Sequence, residues 1–160
     1  MVYFFLFLLL LMDCLPTPIG KIQDPRLVEI SGLSVSREFP NLYYVVNDSP
    51  DKPPENKVYV VHETGKTILE YELEDAVNTD WEALSGQWGP ILYIGDIGDN
   101  YYIREEVQIY VLQEPLINPQ IKFIHRDSYT VLHLKYPDGL PHNAEALFVE
   151  SMPWPDNIYV

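Results

Sequence analysis

The chain has 160 residues, 47% of them hydrophobic and 13% aromatic, which is long and apolar enough for one domain with its own core and argues against a disordered segment. Its 24 acidic and 10 basic residues leave a net charge of −14. That sign excludes a nucleic-acid binder and disfavours an anionic membrane surface, and it leaves metal cations and basic partners open.

Residues 2–12, VYFFLFLLLLM, form an unbroken apolar run. Its length suits the hydrophobic stretch of a signal peptide and is short for a membrane span. Pro16, Pro18 and Gly20 end it. Residues 1–20 are therefore expected to be a secretory signal peptide, making the protein extracellular. The other reading is an uncleaved N-terminal membrane anchor. Cys14, the only cysteine, lies within this leader, so residues 21–160 are expected to fold without a disulfide.

Across the chain, 14 prolines, 8 glycines and 12 tyrosines favour short strands joined by turns over long helices. Four strands are expected at roughly 30–35, 42–47, 57–62 and 67–73, and four more at roughly 82–86, 91–95, 107–112 and 128–135. Runs such as LYYVV and VQIYVL are rich in β-branched and aromatic residues, and the breaks hold Asn, Asp, Gly and Pro. Residues 74–80 allow one helical turn at most. Asn47-Asp48-Ser49 is a glycosylation sequon, poorly placed because Pro50 follows it.

The two sets of strands echo one another. Ile30-Ser31-Gly32-Leu33, Trp81-Glu82-Ala83-Leu84 and Ala144-Glu145-Ala146-Leu147 share a pattern, with Ser31 and Glu82 51 residues apart and Glu82 and Glu145 63 apart. Tyr59-Val60-Val61-His62-Glu63 matches Tyr110-Val111-Leu112-Gln113-Glu114 at the same 51-residue distance. Ile68–Tyr71 matches Val131–Leu134 at 63, which places an insertion around Pro115 to Arg126. Four short strands per repeat of this period point to an all-β fold, a partial β-propeller of two four-stranded blades and the start of a third. A β-sandwich of seven or eight strands is the alternative, and it does not predict the echo. A propeller needs more blades than this, so the chain reads as a fragment ending within a strand at Asn157-Ile158-Tyr159-Val160.

The candidate site grows from the repeated positions. Glu82 and Glu145 recur at the start of the innermost strand, where Ser31 stands in the first repeat. Asp80 and Asn143 each lie two residues earlier and share a strand face with them. The run GDIGDN adds Asp96, Asp99 and Asn100, with Gly95 and Gly98 between them. Two readings fit GDIGDN. Asp, Asn and Gly after a strand are ordinary turn formers, and the same oxygens suit calcium, which takes six to eight of them. The metal reading gathers Asp80, Glu82, Asp96, Asp99, Asn100, Asn143 and Glu145 as ligands. His142, beside Asn143, is either a general base near the metal or a surface histidine. Trp81 is expected to fill space between sheets. No nucleophile elbow, P-loop or zinc-protease motif is present.

The segments NTDWEAL (78–84), YIGDIGDN (93–100) and YPDGLPHNAEAL (136–147) resemble a family of secreted and bacterial propeller-like proteins that carry DWE, GDIGDN and AEAL runs. More distantly the pattern looks like calcium-dependent six-bladed propellers of the paraoxonase, gluconolactonase and propeller-phytase groups. That resemblance implies calcium held by acidic and amide side chains at inner strand ends. The expected function is a calcium-stabilised scaffold that binds a small molecule or a protein. A calcium-dependent hydrolase of esters, lactones or phosphates is the rival, and a truncated product without activity of its own is the third reading.

Overall fold

The computed structural model describes residues 18–48, 55–86, 89–150 and 157–160. The leader up to residue 17, Cys14, Ser49 of the sequon, Trp88 and Trp154 lie outside the described residues. Among the described residues every regular element is a strand, apart from one 3-10 turn at Arg126–Ser128. No helix there is long and apolar enough to cross a membrane.

The first sheet runs β1 (Ile30–Val35), β2 (Leu42–Asn47), β3 (Lys57–His62) and β4 (Thr67–Leu73), each antiparallel to the one before. The second repeats this with β5 (Trp81–Gly86), β6 (Ile91–Asp96), β7 (Val107–Gln113) and β9 (Tyr129–Leu134). The connection from β7 to β9 carries β8 (Phe123–Ile124), which pairs parallel with β4 and extends the first sheet. A third unit holds β10 (Phe148–Glu150) and β11 (Asn157–Tyr159).

Register makes the repetition concrete. Ile30 faces Asn47 and Gly32 faces Val46, so Ser31 is a bulged extra residue. Trp81 faces Asp96 and Ala83 faces Gly95, so Glu82 is bulged in the same place. A bulge re-aims one side chain and bends the strand. The outer strands match at a different spacing from the one expected, because Tyr59 pairs with Glu70 and Tyr110 with Val131. The third unit also differs. Strand pairing there runs from Phe148, three residues after Glu145.

The sheets stack front to back. Tyr44 and Val60 of the first sheet bury their side chains against Leu84, Ile94 and Tyr110 of the second. The positions of the first sheet that match Ile94 and Tyr110 by register are Val45 and Tyr59, and these point the other way, toward Leu27. The second sheet in turn presents Ala83, Tyr93 and Ile109 to Leu147, Val149 and Ile158 of the third unit. Trp81 is fully buried at the first junction, its ring 5.5 Å from Tyr110. Truncating such a residue removes about 3–5 kcal/mol.

Polar contacts fasten the same junction. The buried Glu114 carboxylate accepts from Ser36 Oγ, from Arg37 N at 2.9 Å and from Glu38 N at 3.5 Å, pulling the β1–β2 turn onto the second sheet. Tyr44 and Tyr71 donate their hydroxyls to the carbonyls of Pro115 and Leu116. Glycine at position 32 is a steric demand, since a Cβ there would overlap Leu84. The inner strands β1 and β5 therefore lie side by side at close range.

Candidate metal centre

The site forms where Asp48, just past the end of β2, meets the start of β5. Asn78 makes the join. Its side-chain oxygen accepts from Trp81 N at 2.9 Å, and its nitrogen donates to the carbonyls of Asn47, Asp48 and Glu55 at 3.2–3.4 Å. This draws Asp48 toward Asp80 and Glu82. The three carboxylates offer one ligand oxygen each, all within 4.8 Å of one another. Asp80 and Glu82 are buried and Asp48 is half-buried.

Asp80 is held by its main chain and its side chain. Its N–H donates to Asp96 Oδ1 at 2.8 Å, its carbonyl accepts from Ile97 N and Gly98 N, and its Oδ2 accepts from Asn100 Nδ2 at 3.3 Å. A Cβ on residue 98 would strike the Asp80 carboxyl, so Gly98 is the residue that lets this carboxylate lie against the turn. The bulge at Glu82 sends its side chain into the same space. Burial pushes the Glu82 carboxyl up to about 8, reinforced by the charges of Asp48, Glu145 and Asp80 and by a hydrogen bond with Glu145. Like charges gathered out of water disfavour ionisation, and either a proton or a cation relieves them.

The remaining residues of the expected set divide by what they touch. Asn143 Oδ1 accepts from Asp99 N at 2.6 Å, and its nitrogen donates to Glu145 Oε1 at 2.8 Å and to Asn100 Oδ1 at 3.4 Å. Asn143 thus links the third unit to GDIGDN and orients Glu145, which is solvent-exposed and interacts with Glu82. Asp96 is fully buried, and its carboxylate accepts from Asp80 N, Arg104 Nη1 at 3.0 Å and Gln108 Nε2 at 3.2 Å. Burial still raises its pKa against the pull of Arg104. Burial also acts upward on Asp99, but the N–H groups of Ile103 and Arg104 on its two oxygens outweigh it, and the pKa is lowered. Asp96 and Asp99 thus spend their oxygens on protein donors and close the turn after β6. The structure brings Asp80 and Glu82 together and leaves Asp96 and Asp99 outside that group.

His142 is exposed, its Nε2 2.8 Å from Asp138 Oδ2 and its ring edge-on to Tyr136. Asn47 of the sequon ends β2 half-buried, its side-chain nitrogen donating to Arg26 O at 2.8 Å.

Asp48 is absent from the ligand set expected from the sequence, although Asn47-Asp48-Ser49 stands in the first repeat where Asp96 stands in the second. Register offers a signal, because Asn47 faces Ile30 as Asp96 faces Trp81, which sets Asp48 one step past the strand. Three carboxylates without His or Cys form a hard oxygen site, suited to calcium, magnesium or manganese. The group Asp48, Asp80 and Glu82, buried at the last two, could hold a metal ion. Comparison with family models, curated proteins and solved structures finds no match for the chain.

Proposed function

We propose that this chain is part of a secreted β-propeller in which calcium, held by Asp48, Asp80 and Glu82 with Glu145 beside them, stabilises a scaffold that binds a ligand or partner. The observation that carries the reading is the convergence of three carboxylates from two different sheets within 4.8 Å. Asp48 follows the second strand of one unit, Asp80 and Glu82 open the first strand of the next, and Glu145 comes from the third. A cation there ties all three units at their inner strands. Front-to-back stacking of four-stranded antiparallel units supports the propeller reading, since each unit leaves a face for another. Calcium is favoured over magnesium because the carboxylates sit on a loop and a bulge, and calcium tolerates irregular geometry where magnesium demands an octahedron.

The test is thermal unfolding in calcium, in magnesium and in EDTA. A ligand that binds only the folded state adds about 2.7 kcal/mol at a hundredfold excess over its Kd. Calcium should raise the Tm, magnesium should raise it less, and Asp48→Asn or Glu82→Gln should remove the gain. A Tm indifferent to calcium, or a full calcium response in both variants, overturns the reading.

A further inference from the structure

The connection from β6 to β7 holds three large apolar side chains out in solvent. Tyr101, Tyr102 and Ile103 are 84%, 61% and 75% exposed, the one run of three consecutive exposed large hydrophobic residues among the described residues. Such a run contributes nothing to a core and lowers solubility, so it points to a binding surface. The loop that bears it is fastened at its base. The Asp99 carboxylate accepts from Ile103 N at 3.0 Å and from Arg104 N at 2.8 Å, and the Asp99 carbonyl accepts from Tyr102 N at 2.9 Å. Asp99 N in turn donates to Asn143 Oδ1 of the third unit at 2.6 Å. Tyr102 is held at a φ of 55°, a left-handed backbone that disfavours a bulky side chain. The loop thus keeps a costly conformation that displays an aromatic ring, and strain of this kind gathers at functional surfaces.

Charge says what kind of partner suits it. Glu105 and Glu106 are exposed directly after the apolar run. The loop's one cation, Arg104, is turned inward, its Nη1 on Asp96 Oδ1 at 3.0 Å and on Gly98 O at 2.7 Å. The outer surface of the loop is therefore apolar and negative, on a chain of net charge −14. We propose that the tip formed by Tyr101, Tyr102 and Ile103 docks a basic segment of a partner protein, whose lysines or arginines reach Glu105 and Glu106. Long cationic side chains lay their stems on apolar surface while their heads meet the carboxylates, and the tyrosine faces attract the same heads. The occupant is a protein because small molecules are held in concave sites, and a tip this exposed cannot enclose one. An anionic membrane, the other surface that takes up exposed aromatics, is repelled by the same glutamates. Rigid tyrosines on a fastened loop lose little freedom on binding, which makes them effective anchors. The inference names the partner of the binding scaffold proposed above; it rests on that part of the reading and not on the cation.

A displayed library of random short peptides is the probe, panned on the wild-type chain. The enriched peptides should be rich in Lys and Arg with apolar residues among them. The commonest of them, made with a fluorescent label, should bind the double variant Tyr101→Ser with Ile103→Ser at least about tenfold more weakly in anisotropy titrations. That variant keeps the net charge, so the loss separates docking from a general attraction of cations to an acidic protein. Glu105→Gln with Glu106→Gln should weaken binding and reduce its dependence on salt. Tyr102→Gly relieves the left-handed backbone, and should keep or raise the Tm while it weakens binding. Circular dichroism melts of the same proteins in calcium and in EDTA report folding and the cation response, so failure of the metal site and failure of docking are read separately. Flotation with phosphatidylcholine vesicles tests a membrane as the occupant. No enrichment, enriched peptides without Lys or Arg, undiminished binding in Tyr101→Ser with Ile103→Ser, or vesicle binding that needs the tip in place of peptide binding would each overturn the proposal.

Discussion

Without a cation, stability should fall as pH rises through the neutral range. Glu82 is 7% exposed, and burial and the neighbouring carboxylates push its pKa up to about 8, against 4.5 for an ordinary glutamate. Between those values the folded state keeps a proton that the unfolded chain releases. Stability from this group is therefore complete below pH 4.5, declines up to about pH 8 and is flat above. At about 1.4 kcal/mol per pH unit that window sets a ceiling of about 5 kcal/mol. Relaxation and water entering the site bring the expected loss to roughly 2–3 kcal/mol. Asp96, also pushed up by burial, acts in the same direction, and Asp24, held low by Arg26, acts below the window. Urea unfolding from about pH 4.5 to about pH 8.5 in EDTA reads the slope. Excess calcium should flatten it, because the ion supplies the positive charge that the proton had supplied. Glu82→Gln should shrink the fall in EDTA without abolishing it. A flat or rising wild-type profile in EDTA, or an unchanged slope in Glu82→Gln, would falsify the account of this carboxyl.

Two further outcomes follow from the junction between the sheets. Glu114→Ala takes the acceptor from the buried Ser36 hydroxyl and from the partly buried N–H groups of Arg37 and Glu38, and should cost about 1–3 kcal/mol in urea unfolding. Gly32→Ala drives a methyl into Leu84, and should lower stability by about 1–3 kcal/mol, seen as a lower Tm in both calcium and EDTA.

The strands were legible because each carries its own signal, an alternating or fully apolar run closed by Asn, Asp, Gly or Pro. β8 was not, since Phe123-Ile124 has no periodicity and pairs only because the connection from β7 returns to β4. The AEAL pattern marks a repeat position, and in the third unit the paired strand starts after it, at Phe148. At the site, repetition pointed to Glu82 and Asp80 and matched 47–49 to Asp96, but that Asp48 joins them depends on Asn78 gripping the carbonyls of Asn47, Asp48 and Glu55. GDIGDN was ambiguous on residue types alone. What gives Asp96 its partners is Arg104 and Gln108, which lie beyond the motif and reach it only in the folded chain.

The return of β8 to the first sheet bears on the order in which the protein can be made. Strands β1 to β4 are complete by Leu73, but the end of β4 at Glu72 and Leu73 takes its outer partner from Phe123 and Ile124. On the ribosome that stretch of edge stays open while some fifty further residues are added. An open edge invites pairing with other chains. The hydroxyls of Tyr44 and Tyr71 also wait for the carbonyls of Pro115 and Leu116, so the first sheet cannot finish its own polar contacts before the second has formed. The two repeats are alike in plan, yet they are bound into one cooperative folding unit, and the nascent first repeat is the stage at which the chain is most exposed to misassembly.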